Sequence, residues 1–154
     1  AAVNGPAVGL GSTLALMCDM VLMADTAFLA DPHVLVGLVA GDGGAATLPA
    51  HVSLLHAKEF LFLGDRIEAE RAMAMGLANR VVPAAELSAE AHALALRLAR
   101  LPQRALCDTK RALNQGLEVA LASTRNYGLA AERYSMTDTD FLSFLESRGK
   151  STTS

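Results

Sequence analysis

The sequence predicts an α/β fold in its first half, followed by an entirely helical second half. Two observations indicate this division. Short apolar runs separated by glycine and proline fill the first half, whereas from Leu87 onward apolar residues recur with the 3.6-residue period of α-helices. The change of character near Pro102 divides the chain into an α/β region over 1–101, a helical region over 102–150 and a polar tail over 151–154.

The opening residues, AAVNGPAVGLG, are typical of a short apolar strand that enters a glycine-rich turn. The apolar pattern then predicts a short buried helix over Leu10–Cys18 and strands over Met20–Met23 and Ala27–Ala30. Asp31 and Pro32 end the second strand, and they begin a glycine-rich loop with the sequence HVLVGLVAGDGGAATLP.

The middle of the chain predicts a helix over Leu54–Leu63 and a second one that begins at Ile67 with Glu68 and ends at Gly76. Leu77–Val82 is a candidate strand. Helical periodicity then covers four further segments: Leu87–Leu101, Ala105–Leu117, Val119–Tyr134 and Phe141–Leu145.

Composition narrows the class of protein. A chain of 154 residues with 52% hydrophobic side chains can bury a core, and a net charge of −3 with scattered basic residues predicts no nucleic-acid partner. The most apolar stretch, Leu14–Ala30, is broken by Asp19 and Asp25, so no part of it reaches the roughly 20 residues of a membrane span. No secretory leader opens the chain, and we expect a cytoplasmic location without membrane association.

The isolated thiols Cys18 and Cys107 show no spacing typical of metal ligands, so we expect buried, reduced cysteines and no metal site. His51, His56 and His92 are expected on helix surfaces.

The turn at Gly9 and Leu10 is a candidate oxyanion or phosphate site, because a strand, a glycine turn and a helix N-terminus direct N–H groups at one point. Nucleotide binding is weakly supported. A Walker loop requires a lysine, but Ser12 and Thr13 follow Gly11 directly, and the dinucleotide fingerprint lacks its third glycine.

Taken together, these motifs resemble the crotonase family, which comprises enoyl-CoA hydratases and isomerases. The resemblance is carried, in order, by AAVNGPAVGLG, LALMCDMVLMADTAFLADP, VGLVAGDGG, GDRIEAERAMAMGLANRVVP and FLSFLESR. It implies a spiral of ββα turns, of which this chain would be the C-terminal part, followed by helices that build homotrimers or hexamers. It also implies an acyl-CoA substrate and no cofactor, since coenzyme A enters as part of the substrate.

The resemblance further implies that two backbone N–H groups stabilise an enolate on the thioester oxygen, one of them at the turn formed by Gly9 and Leu10. The second would come from an N-terminal half that this chain does not contain. Loss of one donor from an oxyanion hole costs on the order of a hundredfold or more in rate, so we expect the chain alone to be inactive.

Family hydratases use two glutamates, and the matching positions here hold Thr13 and His33. An imidazole can replace a carboxylate base if a second group fixes its tautomer, and Asp42 is the candidate that would accept a hydrogen bond from the ring of His33. Thr13 could hold a water or bond a carbonyl one helical turn back. Outside the family context, His33 would be a surface residue and Asp42 a turn residue.

Three further residues are candidates for substrate binding. Gly41 belongs to the loop whose glycines allow a close approach of the backbone to a ligand. Phe144 matches a family aromatic residue that covers the adenine of coenzyme A, and Lys150 or Arg148 matches a basic residue that follows it.

These residues support hydration of a 2-enoyl-CoA as the leading hypothesis. One alternative is hydrolysis of a carbon–carbon bond in a β-diketone, because a His–Asp pair is similar to that of crotonase-family diketone hydrolases, although Leu10 stands where those carry a histidine. Another is a catalytically inactive subunit that binds acyl-CoA or builds the oligomer. An apolar set on the C-terminal helices would form an oligomer seam or fold back on the same subunit: Leu113, Leu117, Leu121 and Phe141.

Overall fold

The structure is a computed structural model that describes residues 1–151, with side chains described up to Arg148. Its strands are β1 (Ala2–Val3), β2 (Pro6–Val8), β3 (Leu22–Ala24), β4 (Phe28–Ala30), β5 (Ile67–Glu68) and β6 (Arg80–Val82). Its α-helices are α1 (Leu10–Leu16), α2 (Gly44–His51), α3 (Leu54–Leu63), α4 (Ala69–Ala74), α5 (Leu87–Ala99), α6 (Gln103–Ser135) and α7 (Thr139–Ser151).

The strands form two sheets that the chain visits in turn. One sheet has the order β1-β3-β6 with parallel pairing throughout, and the other has the order β2-β4-β5. Because β1 pairs with β3 while β2 pairs with β4 in parallel, each ββ unit stacks on the next with α1 between them. This arrangement agrees with the predicted spiral and brings the ends of β2 and β4 side by side.

The core lies around the central strands. All residues of β3 are buried, and Leu29 of β4 is fully enclosed, as expected for parallel strands covered on both faces. Leu16, Leu48 and Leu77 pack into the same cluster from α1, α2 and the segment before β6. The short helices therefore lie against the sheets.

Several predicted elements form within a residue or two of their expected ends. Helix α3 covers the predicted range, because Ser53 caps its N-terminus by accepting a hydrogen bond from the His56 N–H and Gly64 ends it with φ of 65°. Strands β3 and β4 lie inside the two predicted strands.

Other predictions require correction. Ile67 and Glu68 form a strand rather than the start of a helix, since Ile67 pairs antiparallel with Leu29 at the edge of β4. The segment predicted as a glycine-rich loop contains helix α2. This helix was not predicted because glycine and proline, here Pro49, are typical of loops. The predicted break between the segments Ala105–Leu117 and Val119–Tyr134 does not occur. Both segments belong to α6, which is one continuous helix of 33 residues.

Cys18 and Cys107 are exposed, not buried as predicted. The three histidines expected on helix surfaces, His51, His56 and His92, are exposed on α2, α3 and α5.

Helix α6 folds back on its own chain and packs against α2. Leu117 and Leu121 are half-buried on that side, whereas Leu113 is 76% exposed, so the predicted apolar set is divided between intrachain packing and open surface. Oligomerisation stays a prediction. Of the helices described here, none has the length and apolar character needed to cross a membrane.

Candidate functional site

The site begins where β2 turns into α1. Gly9 has φ of 55° and ψ of −119°, a conformation that residues with a Cβ rarely adopt. Its N–H donates to the carbonyl of Ala30 at 2.9 Å, so Gly9 contributes the turn and has no free N–H. Leu10 is the first helical residue and has no acceptor for its N–H within α1. Of the two predicted oxyanion residues, Leu10 therefore keeps an available donor.

Strand β4 places a buried carboxylate directly after its last residue. Asp31 is 1% exposed, and its Oδ1 lies 2.5 Å from Nδ1 of His33. The backbone N–H of His33 donates to the same oxygen at 3.3 Å. Asp31 therefore holds both the ring and the backbone of His33 at the start of a 3₁₀ helix over Val34–Val36.

Asp31 is the residue that sequence analysis missed, because it was interpreted only as the end of a strand. The sequence does carry a signal for Asp31, because it directly follows the predicted strand and lies two residues before His33, the candidate base.

The glycine-rich loop brings Asp42 to the other ring nitrogen. Asp42 Oδ2 lies 3.7 Å from Nε2 of His33, and both side chains are largely buried, with 13% and 14% exposed. The structure thus brings His33 and Asp42 together as predicted, but the hydrogen bond expected between them goes to Asp31 instead. Asp42 Oδ2 is buried and has no hydrogen-bond partner among the described residues.

Thr13 supports Asp42 rather than a carbonyl of its own helix. Its hydroxyl donates to Asp42 Oδ1 at 3.5 Å, and the Gly44 N–H donates to the same oxygen at 3.3 Å. Thr13 is 2% exposed, so its hydroxyl is committed inside the protein. These two contacts orient the carboxylate so that Oδ2 faces His33.

The loop glycines are required by close contacts between side chains and backbone. A Cβ on Gly44 would lie 2.7 Å from Asp31 Oδ2, and one on Gly43 would lie 2.7 Å from Thr13 Cγ2. A Cβ on Gly9 would lie 3.2 Å from Cε1 of His33. The three glycines therefore make room for the side chains of the site itself.

Helix α6 adds a third carboxyl group that the sequence did not indicate. Gly41 is buried against Gly128, and a Cβ on Gly41 would meet the Gly128 carbonyl and lie 2.8 Å from Cβ of Glu132. Glu132 is half-buried one turn after Gly128. No local sequence pattern connects it with the loop.

The charges of the cluster act on one another. The hydrogen bond that the His33 ring donates to Asp31 raises the pKa of His33 above 6.5, burial opposes that rise, and the charges of Asp31, Asp42 and Glu132 add to it. Burial raises the pKa of Glu132, and the negative charges of Asp42 and Asp31 raise it further, while His33 opposes the rise. The surroundings thus raise the pKa values of both His33 and Glu132.

Asp31, His33 and Asp42 also offer one ligand atom each within 4.8 Å of one another, which is compatible with a metal ion. However, the 2.5 Å between Asp31 Oδ1 and His33 Nδ1 is a charge-assisted hydrogen bond, whereas two ligands of one zinc ion lie about 3 Å apart or more. The arrangement therefore fits an oriented imidazole better than a shared metal.

Comparison with known proteins identifies the family of this chain. A sequence model described as enoyl-CoA hydratase/isomerase matches residues 1–150. This chain belongs to the enoyl-CoA hydratase/isomerase family. The 2,3-dehydroadipyl-CoA hydratase of Escherichia coli K12 is 38% identical over 133 residues, covering 86% of this chain and 51% of that protein. A crotonyl-CoA hydratase of Syntrophomonas wolfei is 39% identical over 118 residues, covering 77% of this chain and 45% of that protein.

A solved enoyl-CoA hydratase/isomerase from Mycobacterium paratuberculosis is 51% identical, with a TM-score of 0.91 over 95% of this chain and 58% of that one. This similarity confirms the predicted crotonase fold. The chain spans about half the length of the curated relatives it matches, with coverage of 50% and 51% for two of them.

The remaining candidates of this hydratase/isomerase chain are Phe144, Lys150 and Gly41. Phe144 is half-buried on α7, with the Arg148 guanidinium 5.5 Å from the centre of its ring. The side chain of Lys150 lies outside the described residues. Gly41 lines a cavity of about 300 Å³ together with Asp42 and Leu121, between α2 and α6.

Proposed function

We propose that the protein carrying this chain adds water to the double bond of a 2-enoyl-CoA, with His33 as the base. The observation that carries the proposal is the position of its ring, with Nδ1 held by Asp31 at 2.5 Å and Nε2 facing Asp42 Oδ2 at 3.7 Å. Membership of the enoyl-CoA hydratase/isomerase family supports the substrate class.

Asp31 fixes the tautomer of His33. A carboxylate accepts from an N–H, so the hydrogen bond at Nδ1 leaves Nε2 with its lone pair and makes it the basic nitrogen. When Nε2 takes a proton, the buried negative charge of Asp31 stabilises the imidazolium. A buried carboxylate behind an imidazole is the arrangement that general-base histidines use.

Nε2 and Asp42 Oδ2 form a pair of acceptors for one water molecule. A separation of 3.7 Å is too long for a direct hydrogen bond, and a water that enters beside the two atoms would donate one proton to each. Asp42 Oδ2 is buried and unpaired among the described residues, so it would gain a donor from that water. The water is thereby oriented with one O–H toward the base.

The Leu10 N–H supplies one donor to the thioester oxygen on which charge develops. Family resemblance implies that a second donor comes from residues that precede this chain. The cavity of about 300 Å³ beside Asp42 is lined mainly by apolar groups, including Met17, Leu121 and Leu129, and suits the acyl chain.

The reaction then balances as an addition. The water gives a proton to His33 Nε2 while its oxygen bonds to C3 of the acyl chain. The electrons of the C2–C3 double bond move toward the thioester oxygen. Their return forms a C2–H bond, which takes up one proton while His33 releases the one it gained, so that the 3-hydroxyacyl-CoA contains one added water.

Loss of enoyl-thioester absorbance on addition of crotonyl-CoA tests the proposal in the full-length protein. We expect turnover by the wild type, a loss of at least a hundredfold in His33→Ala, and normal turnover in the matched control His92→Ala, because His92 is an exposed helix residue. Equal turnover in His33→Ala would remove His33 from the mechanism.

The same residues favour one second candidate, hydrolysis of a carbon–carbon bond in a β-diketone, since a water held between His33 and Asp42 could attack a ketone. The products separate the two reactions, because cleavage yields a free carboxylate while hydration yields a thioester. Binding of acyl-CoA without turnover of either substrate would instead indicate an inactive binding subunit.

A further inference from the structure

We infer that Arg125 of α6 is a specificity-determining residue, which binds a second carboxylate at the end of the acyl chain remote from the thioester. The preferred substrates are then 2-enoyl-CoA thioesters whose acyl chain ends in a carboxylate rather than in a methyl group. This inference rests on the proposed hydration and deepens it, because it names the class of acyl chain that the same cavity accepts.

The cavity beside Asp42 is mostly apolar but has two charged residues in its lining. It has a volume of about 300 Å³ and lies between the glycine-rich loop, α2 and α6. Only three of its lining residues have polar side chains: Asp42, Thr124 and Arg125. The Thr124 hydroxyl donates to the carbonyl of Ala120 at 2.9 Å, one turn back in its own helix. The loop therefore contributes an anionic group to the cavity, and α6 contributes a cationic one.

Asp42 and Arg125 do not pair with each other. Asp42 Oδ1 accepts from Thr13 and Gly44, and Oδ2 is directed at Nε2 of His33 at 3.7 Å. Within the described part of the chain, no nitrogen of Arg125 lies within 4.0 Å of either Asp42 oxygen. The negative charge thus faces the reacting end of the substrate, and the positive charge stays separate from it.

The helix itself offers Arg125 no acidic partner. Helical ion pairs form between residues three or four positions apart, and those positions hold Leu121, Ala122, Gly128 and Leu129. Three other basic residues of α6 do pair with aspartates: Arg104 and Arg111 with Asp108, and Lys110 with Asp19. Among the described residues, no carboxylate lies within ion-pair distance of Arg125. Its guanidinium is therefore available to an anionic ligand.

Arg125 lies where the end of an acyl chain would arrive. Gly128 touches Gly41 beside Asp42, and Arg125 precedes Gly128 by three residues, about 4.5 Å along the helix axis. An acyl chain with C3 beside Asp42 extends through the cavity toward this turn of α6. Arg125 is exposed while it lines the cavity, so an ion pair formed there keeps part of its hydration and avoids the cost of complete burial.

The two charges give a carboxylated acyl chain one favourable orientation. Its terminal carboxylate is repelled by Asp42 and attracted by Arg125, so the thioester end faces the loop and the carboxylate faces the helix. A guanidinium can donate two parallel N–H bonds to one carboxylate, which fixes the end of the chain. A terminal methyl group gains neither the charge attraction nor the hydrogen bonds.

The test uses pairs of 2-enoyl-CoA thioesters of equal length in the full-length protein. One member of each pair ends in a methyl group and the other in a carboxylate, with acyl chains of six and eight carbons. We expect the wild-type kcat/KM to be about tenfold higher for the carboxylated member at low ionic strength. Added salt should reduce this ratio, because an exposed ion pair is screened.

Arg125→Met should bring the ratio of the two kcat/KM values close to one, since methionine keeps an unbranched side chain without the charge. Arg125→Lys should retain part of the ratio, because it keeps the charge but not the planar fork. Arg133→Met is the matched control, since Arg133 is an exposed arginine of the same helix outside the lining of this cavity, and the wild-type ratio should persist.

Equal hydration of both members by the wild type, or the wild-type ratio in Arg125→Met, would overturn the inference and leave the hydration proposal intact. An equal loss with both members in Arg125→Met would assign Arg125 to the coenzyme A portion that they share, which also overturns it. Calorimetry with the saturated analogues measures the same charge selectivity without turnover. Tighter binding of the carboxylated analogue to the wild type than to Arg125→Met, without hydration of either thioester, would support Arg125 and overturn the hydration proposal alone.

Discussion

At the residue scale, the chemistry of this site depends on which atom of which carboxylate meets each nitrogen of His33. Asp31 is almost completely buried and accepts from both the ring and the backbone of His33. Asp42 stands across the ring with one oxygen held by Thr13 and Gly44 and the other directed at Nε2. The two carboxylates therefore differ in their contacts with His33. Asp31 orients the imidazole ring, and Asp42 faces the nitrogen that would act as the base.

Replacement of Asp31 by asparagine should lower the pKa of His33, because the hydrogen bond and the charge of Asp31 both raise it in the wild type. An NMR titration of the His33 ring protons measures this directly. The exposed Asp65 provides the control, and Asp65→Asn should leave the titration unchanged.

Hydration by Asp31→Asn should also fall by at least tenfold, since an amide can stabilise the wrong tautomer of the imidazole. An unaltered His33 titration in Asp31→Asn would show that Asp31 does not hold the ring in solution.

At the element scale, the crossing of α6 over the glycine-rich loop brings the helical region to the site. The crossing has a backbone-to-backbone contact between Gly41 and Gly128, and Ser135 fastens the end of the helix to Val39. The contact between Gly41 and Gly128 depends on the absence of side chains at both positions. A single added methyl group, as in alanine, would therefore disrupt it.

Gly41→Ala should destabilise the protein by about 1–3 kcal/mol, because the new Cβ would meet the Gly128 carbonyl and the helix would have to shift. Urea unfolding monitored by circular dichroism measures the change. It should also reduce hydration activity, since the shift moves the loop that carries Asp42.

Gly116→Ala is the matched control on α6, where a Cβ would meet nothing within 4 Å. Alanine favours an exposed helix over glycine by about 0.8–1.0 kcal/mol, so this variant should be more stable than the wild type. Equal stability of the two alanine variants would contradict the close crossing.

At the scale of the whole molecule, the raised pKa values couple the site to folding. A group that binds its proton more tightly when folded stabilises the protein fully below its unfolded pKa and loses that contribution as pH rises through the folded value. For His33 the loss begins near the ordinary value of 6.5 and is complete above its raised pKa.

The free energy of unfolding should therefore decline as pH rises from 6.5 through the raised pKa of His33, and the decline should be smaller in His33→Ala. Urea unfolding curves at a series of pH values provide the measurement, with His92→Ala as the control. Parallel pH dependences for wild type and His33→Ala would show that His33 has the same pKa in both states.

Much of this architecture could be predicted from local patterns. Helix α3 lies between a serine cap and a glycine with positive φ, and both signals are visible in the sequence. The strands around Asp25 are short apolar runs, and the turn at Gly9 is typical of a strand that enters a helix. Strand β5 was missed because Ile67 becomes a strand only by pairing with Leu29, which lies far away in the chain.

By itself, the sequence determined the α/β character of the first half, the helices of the second, and His33 and Asp42 as candidates, because these follow from local periodicity, turn chemistry and family motifs. The tertiary structure alone decided that Asp31 receives the ring hydrogen bond and that α6 lies against the loop that carries Asp42. The physical reason is that hydrogen-bond partners are selected by distances of tenths of an ångström, and helix contacts by the steric fit of residues remote in sequence. Neither is encoded in any short stretch of residues.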